Sequence, residues 1–195
     1  MYKLLDVSDR VRVPPDKFGF SLEEAVKASL EERLEGFIDK NLGVILSVIS
    51  VGNIGEGVIY PGDGALYYPA EFQLLTYLPE QHEIVKGEVI DVTEFGVFVR
   101  MGPVDGMVHV SQLMDDFVSY DQKNMMFTGK KTKRKIKENS VIMAKVISVS
   151  MVEGQYKIGL TMRQPGLGAL EWLKEEKKEA PRAAEKKADK KPGKK

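Results

Sequence analysis

The sequence predicts two domains of different class. Residues 1–80 read as α+β, and residues 81–164 as all-β, with a short C-terminal helix over 165–176 and a tail over 177–195. Three observations carry this. One stretch, after Ser21, repeats its apolar residues at helical spacing. The remaining apolar runs are of strand length and rich in β-branched residues. Pro79-Glu-Gln-His82 separates the two regimes as a junction.

Met1 to Val13 is an extended segment, stopped by Pro14-Pro15. Ser21 is a good N-cap, and Glu24 three residues later completes a capping box. Leu22, Val26, Leu30, Leu34, Phe37 and Ile38 then share one helix face, predicting a helix to about Lys40. Asn41 to Gly43 supplies its stop. Gly43 to Val51 is almost continuously apolar, as a buried strand is. Gly52 to Gly57 is a loop, Gly57 to Tyr60 a short strand, and Pro61-Gly-Asp-Gly64 a turn. Ala65 to Tyr68 pairs back, and Glu71 to Leu78 is a last strand. The result is one helix over an antiparallel sheet. The stretch from Gly52 to Tyr67 combines many glycines with Ile54, Val58, Ile59, Tyr60 and Leu66. A projecting hairpin of this composition carries apolar surface that needs a partner. The alternative is an ordinary hairpin folded onto its own sheet.

The second domain opens with three short strands cut by glycines. They are Val85-Lys-Gly-Glu-Val-Ile-Asp-Val, Phe95-Gly-Val-Phe98-Val-Arg100 and Gly106-Met-Val-His109-Val. An insertion over 114–137 follows, with Phe117, Tyr120, Phe127 and the basic run Gly129-Lys-Lys131-Thr-Lys133-Arg134-Lys-Ile-Lys. Ser140 to Ser148 is the fourth strand. Tyr156 to Thr161 is the fifth, after a turn at Glu153-Gly154. Gln164-Pro-Gly-Leu-Gly breaks it, and Ala169-Leu-Glu-Trp172-Leu starts the helix. From about Lys177 the tail has no apolar pattern and reads as disordered.

The pattern G-x-V, F-G-V-F-V, G-M-V-H-V-S resembles the S1 RNA-binding domain, a five-stranded OB-fold barrel. On adjacent strands, Phe95, Phe98 and His109 form a stacking platform for unpaired bases, since every base has a π face. The competing reading buries both phenylalanines in the barrel core. The resemblance carries a later basic position onto Lys157. The acidic residue common at the end of the fourth strand is absent, Val149-Ser150 standing there instead. Strand position alone makes Lys86, Arg100 and Lys145 phosphate contacts, and Lys131, Lys133 and Arg134 are further candidates in the insertion.

Composition narrows the function. The chain has 195 residues, 43% of them hydrophobic, and no cysteine. Disulfides and thiolate metal sites are excluded, which fits a reducing cytoplasm. No apolar run is long enough to span a membrane, and the N-terminus lacks a signal-peptide core. The expected location is cytoplasmic. Net charge is zero, but Lys174 to Lys195 holds ten basic and five acidic side chains, leaving the body acidic. RNA binding would therefore lean on stacking and local basic patches. The two histidines, His82 and His109, lie on separate segments with no metal-ligand spacing. No nucleophile motif or phosphate loop occurs. Neither a catalytic centre nor a cofactor is expected.

Taken with Asp9-Arg-Val-Arg-Val-Pro-Pro and Gly52-Asn-Ile-Gly-Glu-Gly-Val-Ile-Tyr-Pro-Gly-Asp-Gly, the whole chain to about residue 175 resembles the stalk subunits of RNA polymerase. These are the archaeal E-prime subunit and the eukaryotic seventh subunits. The resemblance implies an RNP-like tip domain that docks on the polymerase core near the clamp. The docking surface would map to Gly52, Asn53, Ile54, Gly55, Val58, Tyr60, Pro61, Gly62, Gly64 and Leu66. It further implies a smaller helical stalk subunit as heterodimer partner along the junction. It implies an S1 barrel that binds single-stranded nascent RNA. The pair would aid open-complex formation and processivity without catalysing nucleotide addition. The alternative is an S1-domain translation or ribosome-associated factor.

Overall fold

The computed structural model describes residues 1–152 and 154–174. The chain divides into two compact units, one over Met1–Glu80 and one over Gln81–Val152 and from Tyr156 onward.

The first unit holds β1 (Tyr2–Val13), α1 (Leu22–Leu34), β2 (Ile38–Asp39), β3 (Gly43–Ile54), β4 (Val58–Ile59) and β5 (Leu66–Tyr77). The strands form one antiparallel sheet of order β1-β5-β3-β2, with β4 also on β5. A 3₁₀ turn over Pro15–Lys17 follows β1. At α1 the Ser21 hydroxyl accepts the Glu24 N–H, and the Glu24 carboxylate accepts the Ser21 N–H. Val26 and Leu30 then pack fully buried against Val11, Val13, Ile45, Val48, Phe72 and Leu74.

Three expectations for this unit need correction. The helix ends at Leu34, not near Lys40. Gly36 takes a left-handed φ of 76°, its N–H bonds to Ile45 O, and the chain turns so that Ile38 pairs with Val44. Phe37 is left exposed instead of joining the apolar face. Second, β3 continues through Gly52 and Asn53 to Ile54, so the loop begins only at Gly55. Third, Ala65–Tyr68 and Glu71–Leu78 are not two strands but parts of one, β5, which runs through Pro69. Pro69 sits where β3 gives out: its carbonyl accepts the Gly55 N–H, so the proline's missing donor interrupts no regular ladder.

The second unit is a closed barrel of β6 (Ile84–Thr93), β7 (Gly96–Arg100), β8 (Asp105–His109), β12 (Val141–Val152) and β13 (Gln155–Thr161). The order is β13-β8-β7-β6-β12, and a β13–β12 pairing closes it. The β13–β8 pair is parallel, joining Ile158–Leu160 to Gly106–Val108. Val89, Val97, Val99, Val108, Ile142, Val146 and Leu160 fill the interior. This is the α+β-then-barrel architecture expected.

The insertion is an ordered sheet of its own. It holds β9 (Val118–Asp121), β10 (Met126–Gly129) and β11 (Lys135–Lys137), in the order β11-β10-β9. Phe127 and Ile136 anchor it, both fully buried. After β13, β14 (Gly168–Ala169) pairs back onto Met143 and Ile142, a pairing the sequence did not suggest. Residues 170–174 are helical, with Trp172 buried. Of the helix expected over 165–176, residues 165–169 instead form a turn and β14, and 175–176, like the tail over 177–195, lie outside the described residues.

Candidate nucleic-acid interface

Strand alternation decides which barrel residues face outward. Val97 and Val99 point in, so Phe98 and Arg100 point out. Val108 points in, so Met107 and His109 point out. The register sets Phe98 beside Met107, and Met107 beside Gly159 on β13. This outer face carries a groove of about 700 Å³ lined by Phe98, Met107, His109, Gln112, Ile147, Ser148, Ser150, Tyr156, Lys157 and Gly159, among others. Its floor is mostly apolar, with His109 and Lys157 on its margin. Gly159 keeps the floor open, since a Cβ there would sit 2.5 Å from Ser148 Oγ.

His109 is held in one tautomer. Its Nδ1 caps the 3₁₀ turn Val110–Gln112 by accepting the Ser111 N–H at 3.3 Å, and lies 2.8 Å from Ser111 Oγ. The ring proton therefore belongs on Nε2, which makes that atom a donor. Phe95 stands at the β6–β7 turn, 63% exposed, and its carbonyl accepts the Val110 N–H beside His109. At the groove's other margin the missing acidic position is Ser150, whose hydroxyl bonds Lys157 O at 3.2 Å.

The structure thus brings Phe98, His109 and Lys157 to one groove, while Phe95 stays exposed at the β6–β7 turn, outside its lining. It does not bring the other candidates there. Arg100 pairs with Asp105 at 3.4 Å. Lys86 and Lys145 face outward from the paired strands β6 and β12, outside the lining. Lys131, Lys133 and Arg134 lie around the β10–β11 turn of the inserted sheet, where Arg134 stacks 5.4 Å over Trp172. Met107, Ile147 and Gly159 line the groove and were not anticipated. Their one signal was outward parity next to Phe98, which requires the strand register.

In the first unit Gly52, Asn53 and Ile54 end β3, Val58 lies in β4, Tyr60 to Gly64 form the turn, and Leu66 opens β5. The hairpin extends its own sheet, Val58 pairing with Tyr67, yet leaves Val58, Ile59 and Tyr60 exposed. Gly55 and Gly57 are fixed by packing: a Cβ would meet Pro69 at 2.7 Å or the Tyr68 ring at 2.6 Å. An unanticipated residue, Asp63, ties the turn down. It accepts Arg12 Nε at 2.8 Å and Nη2 at 2.9 Å, the Tyr67 hydroxyl at 2.7 Å and the Ala65 N–H at 3.2 Å. The Arg12 and Tyr67 hydrogen bonds hold its carboxyl well below the usual carboxylate range. Tyr60 stacks edge-on to Tyr67 at 4.9 Å, and its hydroxyl accepts from Arg10 at 3.0 Å.

Comparisons with known proteins match both units. The family described as "S1 RNA binding domain" matches residues 78–160. The family described as "SHS2 domain found in N terminus of Rpb7p/Rpc25p/MJ0397" matches residues 8–64. The chain is 43% identical over 180 residues to DNA-directed RNA polymerase subunit Rpo7 of Saccharolobus solfataricus, covering 91% of this chain and 100% of that one. It is 30% identical over 139 residues to DNA-directed RNA polymerase II subunit RPB7 of Glycine max, covering 70% of this chain and 78% of that one. Among solved structures, RNase R of Mycoplasma genitalium matches at a TM-score of 0.37 and 24% identity, over 41% of this chain and 13% of that one, too partial a likeness to bear on function.

Proposed function

Since this chain belongs to the Rpo7/Rpb7 family of DNA-directed RNA polymerase subunits, we propose that it works as a non-catalytic stalk subunit whose S1 barrel holds unpaired nascent RNA. One observation carries the reading: a groove with an apolar floor, an exposed Phe98, a histidine with Nε2 as donor and Lys157 on the margin. Such a surface offers stacking and one or two phosphate contacts without sequence readout. A grip of that kind is modest in free solution. Docking on the polymerase raises the local RNA concentration and makes it effective.

The tip hairpin, with Val58, Ile59 and Tyr60 exposed, is our proposed contact to the core near the clamp. A small helical stalk subunit is the proposed second partner, and the pair would support open-complex formation and processivity in the cytoplasm. No helix among the described residues is long and apolar enough to cross a membrane.

The test is a titration of single-stranded RNA with wild type and with the Phe98→Ala, His109→Ala double variant. Loss of two stacking contacts should weaken binding about tenfold or more. Equal affinity at every salt concentration would refute the groove as the RNA site.

A further inference from the structure

The RNA groove has a neighbour at its His109 end. The 3₁₀ turn Val110–Gln112 separates the two: Gln112 lines the groove, and Ser111 lines a second hollow of about 350 Å³. Met114, Asp115, Asp116, Phe117, Lys131 and Arg163 complete that hollow. Phe117 is 73% exposed, more than any other large hydrophobic side chain among the described residues. We propose that the hollow is an extension of the RNA track, in which Phe117 stacks the base that leaves the groove past His109 and Lys131 and Arg163 meet its phosphates.

The chemistry favours a nucleic acid over a purely apolar partner. Both carboxylates of the hollow are engaged by groups of the chain itself. Asp116 accepts the Phe117, Lys131 and Thr132 N–H groups at 2.6 to 2.8 Å, and these bonds hold it below the usual carboxylate range. Asp115 pairs with Arg163 at 2.6 Å, using one of five guanidinium donors. Lys131 is exposed, and the basic run of the β10–β11 turn continues from it. An exposed aromatic face that lines the same hollow as two cations, next to a proposed stacking groove, suits a single strand. The 3₁₀ turn between the two hollows rises about 2 Å per residue, so the step between them is short.

This inference rests on the groove being an RNA site, and the test separates the two. Fluorescein-labelled oligouridines of about four and about eight nucleotides, within the range one OB fold occupies, are titrated into the full-length chain. The wild type should bind the longer one more tightly. Phe117→Ala should weaken the longer by about fivefold or more and leave the shorter unchanged, while Phe117→Trp restores it. Thermal unfolding of Phe117→Ala should match wild type, because the side chain is exposed. Unchanged affinity for the longer oligomer, or equal loss on both, overturns the extension. Failure of the wild type to bind either oligomer overturns the groove reading and the extension with it.

Discussion

Two barrel glycines serve different ends. At Gly96 a Cβ would lie 2.1 Å from Val108 O, a backbone atom that cannot swing aside. That position is needed for strands β7 and β8 to meet. At Gly159 the obstructing atom is Ser148 Oγ, the end of a side chain that can rotate. A larger residue at 159 is therefore compatible with the fold but projects into the groove floor. Gly159→Val is expected to keep near-wild-type thermal stability while weakening single-stranded RNA binding severalfold, about the worth of one stacking contact. Paired melting and binding curves check this. A loss confined to stability would show that 159 matters for packing and not for the groove.

Among elements, the tip hairpin depends on one carboxylate. Asp63 holds Arg12 on β1, Tyr67 on β5 and the turn's own backbone. Because its folded-state pKa is depressed, its contribution is fully present above the ordinary carboxylate range, declines as pH falls below that range, and is gone below the lower folded value. The hairpin should keep its order from neutral pH down to the range where free carboxylates titrate, and loosen progressively as the pH falls below it. Asp63→Asn should loosen it already at neutral pH. Amide exchange at Ile59 reports both. The same variant should also co-purify less well with polymerase, since the exposed Val58–Tyr60 face would no longer be held in one shape.

For the molecule as a whole, charge sets the binding regime. The body is acidic once the basic tail is set apart, and few cations line the groove. The slope of log K against log salt for single-stranded RNA should be about −2 or shallower. A steep slope would mean that the basic tail or the insertion, not the groove, carries affinity. Much of this plan was legible in the sequence. The glycine-cut strands, Phe98 and His109 carried the barrel and its aromatic face, and the capping box carried α1. What could not be read depended on distant partners. Gly36 ended the helix because Ile45 took its N–H. The two strands expected over 65–68 and 71–78 are one, because the end of β3 falls opposite Pro69. Asp63 looked like ordinary turn chemistry until Arg12 met it. Met107 and Gly159 became neighbours only through the parallel β8–β13 pair. That pair has a consequence for how the protein is made. The groove face joins residues near 107 to residues near 159, with the inserted sheet between them. Closing so long a loop is slow but only logarithmically costlier than closing a short one. During synthesis this face cannot form until β13 has left the ribosome, so under the proposed function a nascent chain gains its RNA groove only once its barrel is whole.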